Sequence, residues 1–258
     1  MVNPPRMALI RAVSPAMERC EITHLARSPI DVALAERQHA RYAQALVSLG
    51  CGLLELAAEP DLPDSVFVED TAVVLDEVAV LTRPGAATRQ PEVASVGRVL
   101  ELWRPCVRIE APGTLDGGDV LRIGREIFVG RTGRSNPEGI GQLAAAVAPF
   151  GYRTVSVPVR GCLHLKSAVT LVGPDTLLIN DQWVDRGTWP GLRFVTVAPG
   201  EPHAANALRV GDAVISPESA PHTRERLLTA GFRVVPVDVS EIQKAEGGVT
   251  CCSVIFGP

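Results

Sequence analysis

One short phrase recurs five times along this chain and constrains its fold more than any other feature. It reads Gly52-Leu-Leu-Glu-Leu-Ala, Cys106-Val-Arg-Ile-Glu-Ala-Pro, Gly151-Tyr-Arg-Thr-Val-Ser-Val-Pro, Gly191-Leu-Arg-Phe-Val-Thr-Val-Ala-Pro and Gly231-Phe-Arg-Val-Val-Pro-Val. Each copy alternates apolar and polar residues, which predicts a strand. Several copies end in proline, which stops one. The copies lie about 40 to 54 residues apart, the spacing of a repeat architecture.

Helices are predicted ahead of four of the five phrases. Asp31–Leu49 carries an apolar stripe and ends at Gly50; Pro91–Trp103, Ile140–Phe150 and His222–Ala230 follow the same plan. No helix is legible before Gly191. Further strands are predicted over Ala72–Leu81, Val120–Val129, Ala168–Ile179, Ala213–Ser216 and Val249–Phe256. The pattern points to one α/β domain over residues 1–258, a closed, propeller-like ring of five modules with helices outside. An ordinary α/β sheet would give a similar alternation.

Composition removes several function classes. With a formal net charge of −4 and 4% aromatic residues, neither a broad nucleic-acid footprint nor a base-stacking platform is expected. No apolar run approaches the roughly 18 residues of a membrane span, and the N-terminus lacks the apolar core of a signal peptide. A cytoplasmic protein is expected. Its six cysteines include no Cys-x-x-Cys pair, so reduced thiols are expected and a structural zinc site is not.

Four stretches place polar groups among apolar ones. Asp64-Ser-Val-Phe-Val-Glu69-Asp70 carries three carboxylates around a strand-like core. Leu115-Asp116-Gly117-Gly118-Asp119-Val120 sets two glycines between aspartates, as a hairpin turn or a place of close approach. Gly161-Cys162-Leu163-His164-Leu165-Lys166-Ser167 holds a histidine in an apolar run. In Glu246-Gly-Gly-Val-Thr250-Cys251-Cys252-Ser253-Val-Ile-Phe256, strand alternation sends Cys251 and Cys252 to opposite faces. Cys251 is then the exposed thiol and Cys252 the core one. Together the four describe a thiol nucleophile, an acid–base histidine and a carboxylate-lined pocket suited to a guanidinium.

At these residues the sequence resembles the dimethylarginine dimethylaminohydrolases of the guanidine-modifying superfamily. The resemblance rests on PDSVFVED (63–70), TRPGA (82–86), LDGGDV (115–120), HLKS (164–167), AAN (204–206) and GGVTCCSV (247–254), with residues 32–39 similar to that family's first helix. It implies a five-bladed α/β propeller, or pentein, with a pseudo-five-fold repeat around a central active site. It implies Cys251 as nucleophile, His164 as general acid and base, and Asp116 as the histidine's carboxylate. Leu25 (in the lid), Asp64, Phe67, Glu69, Asp70, Arg89, Arg134 and Ala245 would then meet the substrate, with Arg89 and Arg134 at its amino-acid end.

The implied reaction converts N-omega-methylated arginine to citrulline and an amine through a thiouronium on Cys251. No cofactor is required, although Cys251 and His164 could capture an inhibitory zinc ion. The implied partner is a small molecule, with neither nucleic acid nor membrane, and a homodimer stays open. Arginine deiminases carry His-x-Asp where this chain has His164-Leu165-Lys166; losing that carboxylate favours methylated arginines. Arginine deiminase or amidinotransferase activity is the alternative. More distant readings are a non-catalytic binding protein of the same fold and a metal hydrolase built on Asp116, Asp119 and His164.

Overall fold

A computed structural model describes residues 6–257, so residues 1–5 and 258 of the expected domain lie outside the described residues. The strands are β1 (Met7–Arg11), β2 (Gly52–Leu56), β3 (Ala72–Val74), β4 (Ala79–Leu81), β5 (Cys106–Arg108), β6 (Val120–Ile123), β7 (Glu126–Arg131), β8 (Arg153–Pro158), β9 (Val169–Leu171), β10 (Thr176–Ile179), β11 (Arg193–Thr196), β12 (Leu208–Val210), β13 (Ala213–Pro217), β14 (Arg233–Val237) and β15 (Val254–Phe256). They form five separate three-stranded sheets, not one closed barrel. These are the five blades of the expected propeller-like ring, each a separate sheet.

Each blade repeats one design. Two strands pair antiparallel, and the second pairs parallel with a third reached through a crossover, as in β3–β4–β5 and β6–β7–β8. The blade β15–β1–β2 draws its strands from both ends of the chain, with Met7 opposite Phe256 and Gly52. Parallel pairing needs such a crossover, usually a helix. α1 (Val32–Ser48), α2 (Val93–Leu100), α3 (Pro137–Val147) and α5 (Pro221–Thr229) supply it. The fourth blade substitutes a short 3-10 turn at Arg186–Thr188 and the buried Trp189, which is why no periodic helix preceded Gly191. α4 (Leu165–Ala168) is a single turn near the axis, and α6 (Ser240–Lys244) is a single turn packed against α1.

The recurring glycine has a conformational cause. Gly50, Gly151, Gly191 and Gly231 all take positive φ, between 79° and 89°, turning the chain from crossover into strand. The hydrophobic clusters lie between neighbouring blades: Leu9, Val254 and Phe256 of β15–β1–β2 pack with Ala72, Ala79 and Leu81 of β3–β4–β5. On α1, Ala35, Tyr42 and Leu46 are buried, and Asp31 caps the helix by accepting the Leu34 N–H at 2.9 Å. The helix expected over Pro91–Trp103 is shorter, and the one expected over Ile140–Phe150 starts and ends three residues earlier; each is flanked by a 3-10 turn. Three of the expected long strands, Ala72–Leu81, Val120–Val129 and Ala168–Ile179, are hairpins.

Candidate active site

The chemistry-bearing motifs share one structural position. Each lies in the turn that enters the first strand of a blade. Glu69 and Asp70 sit in a 3-10 turn before β3, and Asp116 and Asp119 flank one before β6. His164 opens α4 before β9, Asn206 closes a turn before β12, and Cys251 lies in a turn before β15. Five-fold symmetry brings all five entries to the axis, so residues as far apart as Thr250 and Glu69, 181 positions, touch.

The paired glycines belong to this convergence. Neither Gly117 nor Gly118 has positive φ, and the segment is a 3-10 turn, not the hairpin turn that was the alternative. A Cβ on Gly117 would stand 2.0 Å from the Glu69 carbonyl oxygen; one on Gly118 would stand 2.6 Å from His164 Nδ1 and 2.7 Å from Asp70 Oδ1. Near Cys251, a Cβ on Gly248 would meet Asn206 Oδ1 at 2.4 Å, and one on Gly247 the Phe67 ring at 2.3 Å. Neighbouring entry turns pack backbone against functional side chain, which no larger residue permits.

His164 lies buried between two carboxylates. Its Nε2 meets Asp116 Oδ2 at 3.0 Å, and its Nδ1 lies 3.8 Å from Asp70 Oδ1. Asp116 is fixed by accepting the Gly85 N–H at 2.8 Å, and Asp70 by accepting the Gly118 N–H at 2.9 Å. Burial opposes a charge on the imidazole, but Asp70, the Asp116 hydrogen bond and Asp119 outweigh it and raise its pKa to about 9. Burial would also raise Asp70, but His164 and Arg89 hold it below the usual carboxylate range. At neutral pH the histidine therefore carries a proton to give.

Cys251 and Cys252 are 8% and 1% exposed. The expected exposed thiol is therefore corrected to a buried one. The expected strand starts only at Val254, so alternation does not govern the pair; the flexible Gly247-Gly248 lets the turn tuck both thiols inward. Asn206 Nδ2 and Thr250 Oγ1 each lie 3.9 Å from Cys251 Sγ. Asn206 also braces Thr250 through two 3.0 Å hydrogen bonds. Burial first, then the fields of Glu69 and Asp70, push the Cys251 thiol up to about 12. Without a ligand it is a neutral thiol.

Glu69 is satisfied from two sides. Lys166 Nζ pairs with its Oε1 at 2.6 Å, and Thr250 donates to its Oε2 at 2.8 Å. Burial still raises its pKa, opposed by Lys166. Arg89 is 4% exposed and donates to Asp70 at 2.7 Å, to both oxygens of Glu92, and to the Asp64 and Phe67 carbonyls. Of its five N–H donors one Nη1 hydrogen lacks a protein acceptor among the described residues. The expected open guanidinium is thus mostly committed to the protein, because three buried carboxylates surround it.

Above these groups, residues 21–30 form an irregular lid. Asp64 accepts the Glu21 N–H at 3.1 Å, and Arg134 Nη2 reaches Thr23 Oγ1 at 3.0 Å. A cavity of about 290 Å³ lies below it, lined in part by His24, Leu25, Cys162, Leu163, Asn206 and Glu246. Leu25 lines this cavity; Phe67 does not, being buried against Gly247 and Arg89. Ala245 is buried at the end of α6, next to Glu246. Sequence reasoning gave no role to Asn206, Glu246, Thr250 or Glu92. Asn206 had a signal, since it holds in the fifth blade the position the four motifs hold in theirs, and Glu246 and Thr250 lie within the last of those motifs.

Among the described residues, the metal-like grouping is Asp70, Asp116 and His164, whose ligand atoms lie within 4.8 Å of one another. Cys251 is not a member, so the expected zinc pair of Cys251 and His164 finds no third ligand there. Asp119 is outside it too, its carboxylate taken by Leu165 N–H, Thr132 and Ser135, which counts against the metal-hydrolase reading. No helix among the described residues is long and apolar enough to cross a membrane.

No protein-family model matches the chain. It is 44% identical over 254 residues to an N(G),N(G)-dimethylarginine dimethylaminohydrolase of Streptomyces coelicolor, covering 97% of each. The chain belongs to the dimethylarginine dimethylaminohydrolase family. A second member, from Pseudomonas aeruginosa, is 34% identical over 88% of this chain and 90% of that protein. A solved structure of the Pseudomonas enzyme, a cysteine-to-serine mutant complexed with citrulline, superposes with a TM-score of 0.93 at 31% identity, covering 98% of this chain and all of the other. The N-terminal domain of a cyanobacterial arginine dihydrolase, at 21% identity and TM-score 0.82 over 97% of both chains, shares the fold. The five-bladed pentein architecture of this dimethylarginine dimethylaminohydrolase family thus agrees with the repeat read from sequence.

Proposed function

We propose that this chain hydrolyses N-omega-methylated arginine to citrulline and methylamine or dimethylamine. The observation that carries the reading is the axial constellation itself: a buried thiol, a protonated histidine held by two carboxylates, and further buried carboxylates suited to a guanidinium. The family membership and the citrulline complex of a relative support it.

The chemistry follows from the charges. A guanidinium is a poor electrophile and demands a thiolate. Cys251 is neutral in the free site because Glu69 and Asp70 oppose its ionisation. A bound guanidinium offsets that field, so the thiol proton leaves to solvent as the substrate settles. Sγ attacks the central carbon, and the His164 imidazolium donates its proton to the departing amine as the C–N bond breaks. The thiouronium remains on Cys251. Neutral His164 then takes a proton from water, hydroxide adds to the same carbon, and C–S cleavage releases citrulline and the thiol. Asp116 keeps the imidazole oriented throughout. Leu25 and Arg134 close over the substrate, with Asp64, Arg89 and Ala245 shaping the walls and Phe67 backing Gly247 from behind.

The alternative, arginine deiminase or amidinotransferase chemistry, would use the same adduct. Lys166 argues against arginine: it occupies Glu69 where a deiminase offers a second carboxylate. The test is a citrulline assay on asymmetric dimethylarginine, monomethylarginine and arginine side by side. Citrulline from arginine at a rate matching the methylated substrates would replace this reading with a deiminase.

A further inference from the structure

We propose that Glu246 is the latch of the lid, a positioning residue whose carboxylate holds residues 23–25 closed over the catalytic cavity. One side chain captures three successive backbone donors. Its Oε2 accepts the Thr23 N–H at 2.9 Å, and its Oε1 accepts the Leu25 N–H at 2.5 Å and the His24 N–H as well. A row of N–H groups converging on one anion is a backbone nest, and hydrogen bonds to an ionised acceptor are about twice as strong as neutral ones.

The backbone at Glu246 is built for this task. Among the described residues it is the one non-glycine residue with positive φ, 59°. Such a conformation is costly for a residue with a Cβ and persists where the surroundings over-determine it. Here it turns the side chain off the end of α6 toward the lid. The next two residues are Gly247 and Gly248, whose packing on Phe67 and Asn206 sets the turn of Cys251. The latch is thus two glycines and a short turn away from the thiol.

The tip of the lid has little else to hold it. Residues 21–30 form no helix or strand. Arg27 donates to the Glu18 and Cys20 carbonyls, contacts that shape the lid without tying its tip down. Asp64 and Thr88 secure its first residue, Glu21, Lys244 holds the Pro29 carbonyl near its far end, and Arg134 reaches one hydroxyl of Thr23. Every backbone N–H of the tip that reaches across to the body of the protein does so at Glu246. His24, Leu25 and Glu246 all line the cavity beside Asn206, whose Nδ2 lies 3.9 Å from Cys251 Sγ, so opening the tip opens the cavity that adjoins the thiol.

The proposal rests on the functional reading only in calling the cavity catalytic, and its test separates the two. Glu246→Ala removes the acceptor; Glu246→Gln removes the charge but keeps one acceptor oxygen. Amide hydrogen exchange of residues 23–25 and alkylation of Cys251 by iodoacetamide are followed in the ligand-free protein. Losing a set of charge-assisted hydrogen bonds should raise both rates at least about tenfold in the alanine variant, with glutamine between. The alkylation rate should rise by the same factor at every pH, because a gate scales access and leaves the thiol's pKa in place. In turnover of methylarginine, KM should rise more than kcat falls. Unchanged exchange at 23–25 in both variants overturns the latch. So does faster alkylation whose pH profile is displaced while exchange stays constant, since that is a charge effect on the thiol. If the alanine variant does not fold, the glutamine variant decides by the same criteria. If exchange and alkylation respond as expected but methylarginine is not hydrolysed by the unsubstituted protein, the latch stands and the functional reading fails.

Discussion

Asp116→Asn probes the centre of the proposed chemistry with almost no change in shape. Asp116 is fully buried, with one oxygen 2.8 Å from the Gly85 N–H and the other 3.0 Å from His164 Nε2. The amide must keep its oxygen on the Gly85 N–H, an obligatory donor. Its NH2 group then faces His164 Nε2, which must become an acceptor. The proton moves to Nδ1, toward Asp70, and the tautomer is wrong for the reaction. The imidazolium also loses the carboxylate at 3.0 Å, one of the groups that raise it to about 9. An opposite charge at that range typically shifts a pKa by about 1–3 units, so the histidine should titrate between about 6 and 8. Together these effects should lower kcat roughly 10²–10⁴-fold, with KM changed far less. The assays are citrulline formation against pH and NMR titration of the His164 ring. The native profile should keep a protonated histidine up to about pH 9. The stability follows the same sign: a raised histidine contributes fully below its unfolded value of about 6.5 and loses that contribution as pH rises through about 9. In the asparagine variant this loss should fall at lower pH. A variant with kcat within about threefold of native and a histidine still titrating near 9 would refute the assignment.

Three further outcomes follow from the same geometry. Cys251→Ser should abolish turnover while Cys252→Ser keeps most of it, as a serine alcohol is a far weaker nucleophile; equal losses, or an adduct mass on Cys252, would count against Cys251. Because the thiol is pushed up to about 12, its alkylation by iodoacetamide in the free protein should still be climbing at pH 10; a plateau near pH 7 would mean a resting thiolate, contrary to the burial and to Glu69 and Asp70. Methylated arginines should be hydrolysed at least about tenfold better than arginine in kcat/KM, only about 1.4 kcal/mol of discrimination, and Lys166→Asp should narrow that ratio; an unchanged ratio places the preference elsewhere in the pocket.

Much of this protein was legible in its sequence because the information is local. Strand alternation and the left-handed glycines at 50, 151, 191 and 231 encode the repeating unit within a few residues of one another. Polar groups such as His164 and Asp116 stand out in apolar runs without any knowledge of the fold. Tertiary structure decided what depends on distant segments meeting. It assigned His164 to both Asp70 and Asp116, and committed most of Arg89 to Asp70 and Glu92. It buried a thiol that alternation would have exposed, because the paired glycines turn the chain before the strand begins. It added Asn206, 45 residues from Cys251, and Glu246, more than 220 residues from the lid it holds. Five similar units can each be read alone, but only closure around an axis determines which side chains share a site.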